Sequence, residues 1–203
     1  MFKSRKSIFW VVLLTTSLFS YALEAQEALD TLFGDLAAKE IDATEYAEKF
    51  SKWQLKDVET RAKISQFFLK NGLQLEHECD EICESYLISE VSQERKYLPG
   101  NFDQGVLGIV YSPNLEQCIV YASYDGPDYD RFYYYRSEFS LFGLKDTIGL
   151  DAFTLEQSFT ETICSIEEII WVDDEQIALK VYEEGRWGDG SHLTFRYFIL
   201  QLP

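Results

Sequence analysis

His77, Cys79 and Cys83 form H-x-C-x-x-x-C, an imidazole and two sulfurs in close succession. Such soft and borderline donors can hold copper or zinc. No second His or Met stands nearby, and the C-x-x-C spacing of redox pairs is missing. We therefore expect no metal and no cofactor, and assign these cysteines to a disulfide.

Asp189, Ser191 and His192 lie together in GDGSH and supply the residue types of a Ser/His/Asp mechanism. Neighbours in one turn do not usually reach that geometry, and the G-x-S-x-G elbow is missing. H-E-x-x-H and the Walker A pattern are missing too. The glycines at 185, 188 and 190 do not match a dinucleotide fingerprint. Two carboxylates about 5–9 Å apart would suffice for a glycosidase. The chain has 35 acids, and nothing singles out a pair. The expectation is a protein that is not an enzyme.

The segment Tyr124–Tyr135, YDGPDYDRFYYY, is the favoured site. Asp125, Asp128 and Asp130 cluster around Gly126-Pro127, with Tyr124, Tyr129, Tyr133 and Tyr135 beside them. Tyrosine gives broad contact area at low conformational cost, and adjacent acids can meet Lys or Arg on a partner. An oxygen-rich loop can also take calcium, but EF-hand spacing is missing. The ordinary alternative is a polar hairpin tip on an aromatic sheet.

These residues need a scaffold. Ile166–Tyr182 reads as a β-hairpin: two alternating apolar runs interrupted by Asp173, Asp174 and Glu175. Alternation puts Ile166, Glu168, Ile170 and Val172 on one face, and Glu167, Ile169 and Trp171 on the other. Val106–Tyr111 and Cys118–Tyr124 flank SPNLEQ as a second hairpin. Arg131–Phe142 is a long aromatic strand, 143–157 a loop with a helical turn, Ser158–Cys164 a strand, and His192–Leu202 the closing strand.

The preceding half has helical spacing. Leu29, Leu32, Phe33 and Leu36 follow i, i+3, i+4, i+7. Asp42 caps a second helix, with Glu45 three residues on and Tyr46, Ala47, Phe50 and Trp53 as its apolar face. A third covers Lys56–Lys70, with Val58, Ala62, Ile64, Phe67, Phe68 and Leu69 as its stripe, and stops at Asn71-Gly72. Asp80–Arg95 reads as a fourth, although Tyr86–Val91 also alternates as a strand. Leu98-Pro99-Gly100-Asn101 breaks regular structure. The expected class is α+β: three to four helices over 23–98, then an antiparallel β meander or partly closed barrel over 104–203, as two domains or two layers of one.

Residues 1–22 have a basic head (Lys3, Arg5, Lys6), an apolar middle and the small-residue exit Ser20-Tyr21-Ala22. That is a secretory signal peptide, so the expected compartment is periplasmic or secreted. Four cysteines in an oxidising compartment make two disulfides the default, with Cys79–Cys83 and Cys118–Cys164 preferred among three pairings.

The chain carries a net charge of −17. Loss of the basic leader deepens it. That argues against nucleic acid and anionic membrane surfaces, which need clustered Lys and Arg. It favours basic partners. The expected function is an exported acidic binding protein that inhibits or neutralises a basic protein partner. A carbohydrate or envelope-component binding module is the alternative, and a carboxylate-dependent hydrolase the second.

Overall fold

The structure, a computed structural model, describes residue 33 and residues 36–80, 83–100, 106–128, 131–162, 165–182 and 195–203. At 123–128, 131–137, 160–162 and 182 it describes the backbone alone.

One long helix and three antiparallel sheets make up the described residues. The first sheet has the order β1-β11-β10-β9. Its strands are β1 (Ala38–Ile41), β9 (Ser165–Trp171), β10 (Gln176–Tyr182) and β11 (Phe195–Gln201). The second has the order β2-β3-β4: β2 (Leu73–Cys79), β3 (Cys83–Ser89) and β4 (Arg95–Tyr97). The third, β5-β6-β7-β8, contains β5 (Gly108–Tyr111), β6 (Gln117–Asp128), β7 (Arg131–Leu144) and β8 (Phe153–Thr162). This corrects the expected class. The chain is mostly β, with no N-terminal bundle of three to four helices among the described residues.

β9 lies across β5, β6 and β7, so the first and third sheets face each other. Ile166, Ile169, Trp171, Leu179 and Phe198 from one meet Val110, Ile119, Tyr121, Phe139 and Leu141 from the other. Burying both inner faces gives a sandwich core. Phe33 and Leu36 enter this core as well. The rest of the predicted first helix lies outside the described residues.

The hairpin β9–β10 falls where alternation put it, but one residue changes face. Lys180 pairs with Glu168 and Val181 with Ile166, so the register shifts between them. Glu167 is the extra residue of a bulge. The bulge moves Ile166 to the inner face with Ile169 and Trp171, while Ile170 stays outside with Tyr46. Strict alternation had placed Ile166 with Ile170.

The predicted second and third helices are one helix, α1 (Ala43–Asn71). Asp42 caps it by accepting from the N–H groups of Thr44 and Glu45, and Gly72 ends it at φ +61°, as expected. No Gly or Pro separates Trp53 from Lys56, so the backbone has no reason to stop. The seam facing the protein runs through positions 46, 50, 53, 57, 60, 64 and 67–68. Tyr46, Phe50 and Trp53 pack on Ile170, Ala178, Tyr197 and Ile199 of the first sheet. Ile64, Phe67 and Phe68 pack with Leu87, Phe142 and Phe153. Between these halves the seam is polar: Asp57 pairs with Arg61, and the Thr60 hydroxyl donates to the Lys56 carbonyl. Val58 and Leu69, expected in the apolar stripe, are 73% and 77% exposed.

The predicted fourth helix is replaced by the β2–β3 hairpin and β4. Leu87 on β3 is fully buried against the third sheet's outer face, and tertiary packing overrides local propensity there. Lys96 on β4 donates to the Phe153 carbonyl at 2.6 Å. β7 runs on to Leu144, and β8 begins at Phe153, so the expected loop with a helical turn over 143–157 narrows to 145–152, with the turn at Leu150–Ala152.

β1 docks on β11 through a bidentate ion pair from Arg196 to Glu40, at 2.8 and 2.9 Å. The Arg196 hydrogen bond holds the Glu40 carboxyl below its ordinary range, outweighing partial burial. A depressed folded-state value gives stability that is present above the unfolded value and lost as pH falls through the folded one. Wild type is therefore expected to exceed Glu40→Gln by up to about 1 kcal/mol near pH 7, since the pair is largely solvated. The gap should narrow as pH falls from 7 into the acid range, in urea melts across that series. A gap that widens in acid contradicts the linkage.

Candidate functional site

The favoured segment lies on a long β-hairpin, and its backbone geometry is clear. β6 and β7 pair from Gln117↔Gly143 to Asp128↔Arg131. The pairing of β5 ends at Gly108↔Tyr121, and that of β8 at Ser137↔Thr162. Beyond those points β6 and β7 continue together through Tyr124↔Arg136, Asp125↔Tyr135 and Gly126↔Tyr134. A register shift between Gly126 and Asp128 precedes the last pair. Among the described residues the hairpin thus runs past both flanking strands as a two-stranded arm. Tyr124, Asp125 and Asp128 are on one strand of the arm, and Tyr133 and Tyr135 on the other. Tyr129 and Asp130 lie outside the described residues. Arg131 and Arg136 are also on the arm and offset part of its negative charge.

A second constellation sits on the β2–β3 hairpin. Cys79 and Cys83 are directly opposite across two strands and disulfide-bonded, as expected. His77 is opposite Ser85, two residues from Cys79 on the same face. Its Nδ1 is 2.8 Å from the Ser85 hydroxyl and its Nε2 is 3.1 Å from Cys79 Sγ. Ser85 was not anticipated. The signal available was its position across from His77 once the hairpin is drawn.

The expected Cys118–Cys164 bridge is corrected. Cys118 is a free, fully buried thiol. It packs with Val120, Phe142 and Phe153 on the third sheet's outer face. Cys164 lies outside the described residues, between Thr162 and Ser165. Burial pushes the Cys118 thiol well up, and the Glu156 charge adds to it. Such a thiol is inert. Alkylation of native protein is expected to leave Cys118 unmodified, and alkylation in denaturant to modify it, read by peptide mass spectrometry. Modification under native conditions contradicts the burial.

Asp189, Ser191 and His192 lie outside the described residues. A shallow recess of about 400 Å³ lies between β1 and the start of α1 and is lined in part by Lys39, Glu45, Lys49 and Gln201. It contains none of the residues singled out above. No helix among the described residues is long and apolar enough to cross a membrane.

No protein-family model matches the chain, and comparisons with curated proteins and with solved structures also find no match.

Proposed function

We propose that the chain is an exported acidic binding protein that inhibits or neutralises a basic protein partner, docking through the β6–β7 arm. The observation that carries this is the arm itself. Among the described residues its two strands continue past their neighbours, with Tyr124, Asp125, Asp128, Tyr133 and Tyr135 on that length of pairing. The net charge of −17 supplies long-range attraction to a cationic surface, and the arm's acids localise it. Export rests on the leader-like residues 1–22, and the Cys79–Cys83 disulfide is compatible with it.

The experiment is capture from envelope and secreted extracts on the immobilised mature chain, at low and high salt. The expected outcome is a basic protein released by salt that, once purified, forms a one-to-one complex with the chain. Retention of glycans alone, insensitive to moderate salt, contradicts this function and favours a carbohydrate-binding module.

A further inference from the structure

The β2–β3 tip brings three donor atoms together. His77, Cys79 and Cys83 each offer one, and all lie within 4.8 Å of one another. This follows from strand geometry. His77 and Cys79 are two apart on β2 and share a face, and their cross-strand partners Ser85 and Cys83 lie on that face too. Ser85 is buried, while His77 and Cys79 are exposed. The imidazole is therefore tethered at its inner nitrogen, and its outer nitrogen is accessible beside the sulfurs.

The Ser85 hydroxyl has a particular use here. A hydroxyl both donates and accepts. When it donates to Nδ1, the Nε2 atom carries hydrogen toward the disulfide sulfur. When it accepts from Nδ1–H, Nε2 presents a lone pair. The second arrangement is the one that metal-binding histidines use, with the distal N–H held by an acceptor.

We propose that reduction of Cys79–Cys83 turns this tip into a copper(I) site made of two thiolates and His77 Nε2. A dithiol supplies the reduction. Its two electrons and two protons pass to the cysteine pair, the S–S bond breaks, and the dithiol leaves as its cyclic disulfide. Copper(I) then displaces the two thiol protons to solvent and forms two Cu–S bonds. His77 Nε2 gives the third ligand. Metal–sulfur bonds near 2.3 Å place the two sulfurs about 4 Å apart, a separation that side-chain rotation at an exposed tip can supply. Soft thiolates select copper(I) or zinc. Three protein ligands complete a copper(I) site, whereas zinc at this tip would take a water as its fourth ligand. The oxidised tip lacks thiolates and is the resting form.

The test uses the full mature chain in a Cys164→Ser background, leaving the tip pair and the buried Cys118. Protein reduced with a dithiol and freed of it without oxygen is titrated with copper(I) against a colorimetric chelator. A parallel titration uses zinc. One equivalent of copper(I) is expected for reduced protein and none for oxidised protein. Cys79→Ser and Cys83→Ser should abolish that equivalent, with far-UV circular dichroism confirming the fold. His77→Ala should weaken binding tenfold or more, and Ser85→Ala by about tenfold through loss of ring orientation. Equal binding by oxidised protein overturns the proposal, as does unchanged stoichiometry in Cys79→Ser. Unchanged affinity in His77→Ala removes the three-ligand assignment, and zinc bound in preference to copper(I) removes the choice of metal.

Discussion

Trp171→Ala is expected to destabilise the protein by about 3–5 kcal/mol, the range for truncating a fully buried Trp or Phe. Trp171 is 1% exposed at the end of β9. Its indole N–H donates to the Val110 carbonyl at 3.1 Å, reaching from the first sheet to the edge strand of the third. The substitution opens a cavity between the sheets and removes that hydrogen bond. Trp171→Phe keeps most of the ring and loses the hydrogen bond, so a smaller cost of about 1–3 kcal/mol is expected. Urea denaturation of the three proteins measures both. If Trp171→Ala falls within about 1 kcal/mol of wild type, the two sheets do not share the core described.

The second large effect is on association. Asp125→Lys, Asp128→Lys and Asp130→Lys together replace three negative charges with three positive ones. Steering by complementary charge raises association rates by 10–10³-fold at low salt. The triple variant is expected to associate with the partner about tenfold or more slowly at low ionic strength. Dissociation should change little, because rim charges act mainly on encounter. The difference should shrink as salt rises, since screening shortens the reach of exposed charges. Stability should be nearly unchanged, because Asp125 and Asp128 are beyond the last residues of β6 and β7 that pair with β5 and β8. Stopped-flow association over a salt series reads this. Equal rates at low salt contradict docking through the arm.

Local signals recovered what depended on local chemistry. Asp42 and Gly72 mark the two ends of α1 because caps act on the nearest backbone groups. The hairpin β9–β10 follows from period-two alternation around an acidic turn. What failed depended on distant partners. The division expected between Trp53 and Lys56 is unbroken helix, and α1 goes on from one apolar surface to a second that no local count reveals. β3 is a strand because Ser85, Tyr86 and Leu87 are buried in a sheet, which no count along Asp80–Arg95 reveals. The Glu167 bulge depends on register with β10. For the candidate sites, the strands of the arm were readable as alternating aromatic runs, but their projection was not, because it depends on where β5 and β8 stop pairing. Cys79–Cys83 was readable from its short loop. Cys118 was misassigned because an even cysteine count says nothing about which faces the cysteines occupy.

Site-specific photocrosslinking tests the docking claim most directly. A benzoylphenylalanine replaces Tyr135 on the arm in one protein, and the exposed Leu155 of β8 in another. With the purified basic partner at low salt, a one-to-one adduct is expected from position 135 and none from position 155. An adduct from position 155 with none from 135 would put the contact surface elsewhere and contradict the account.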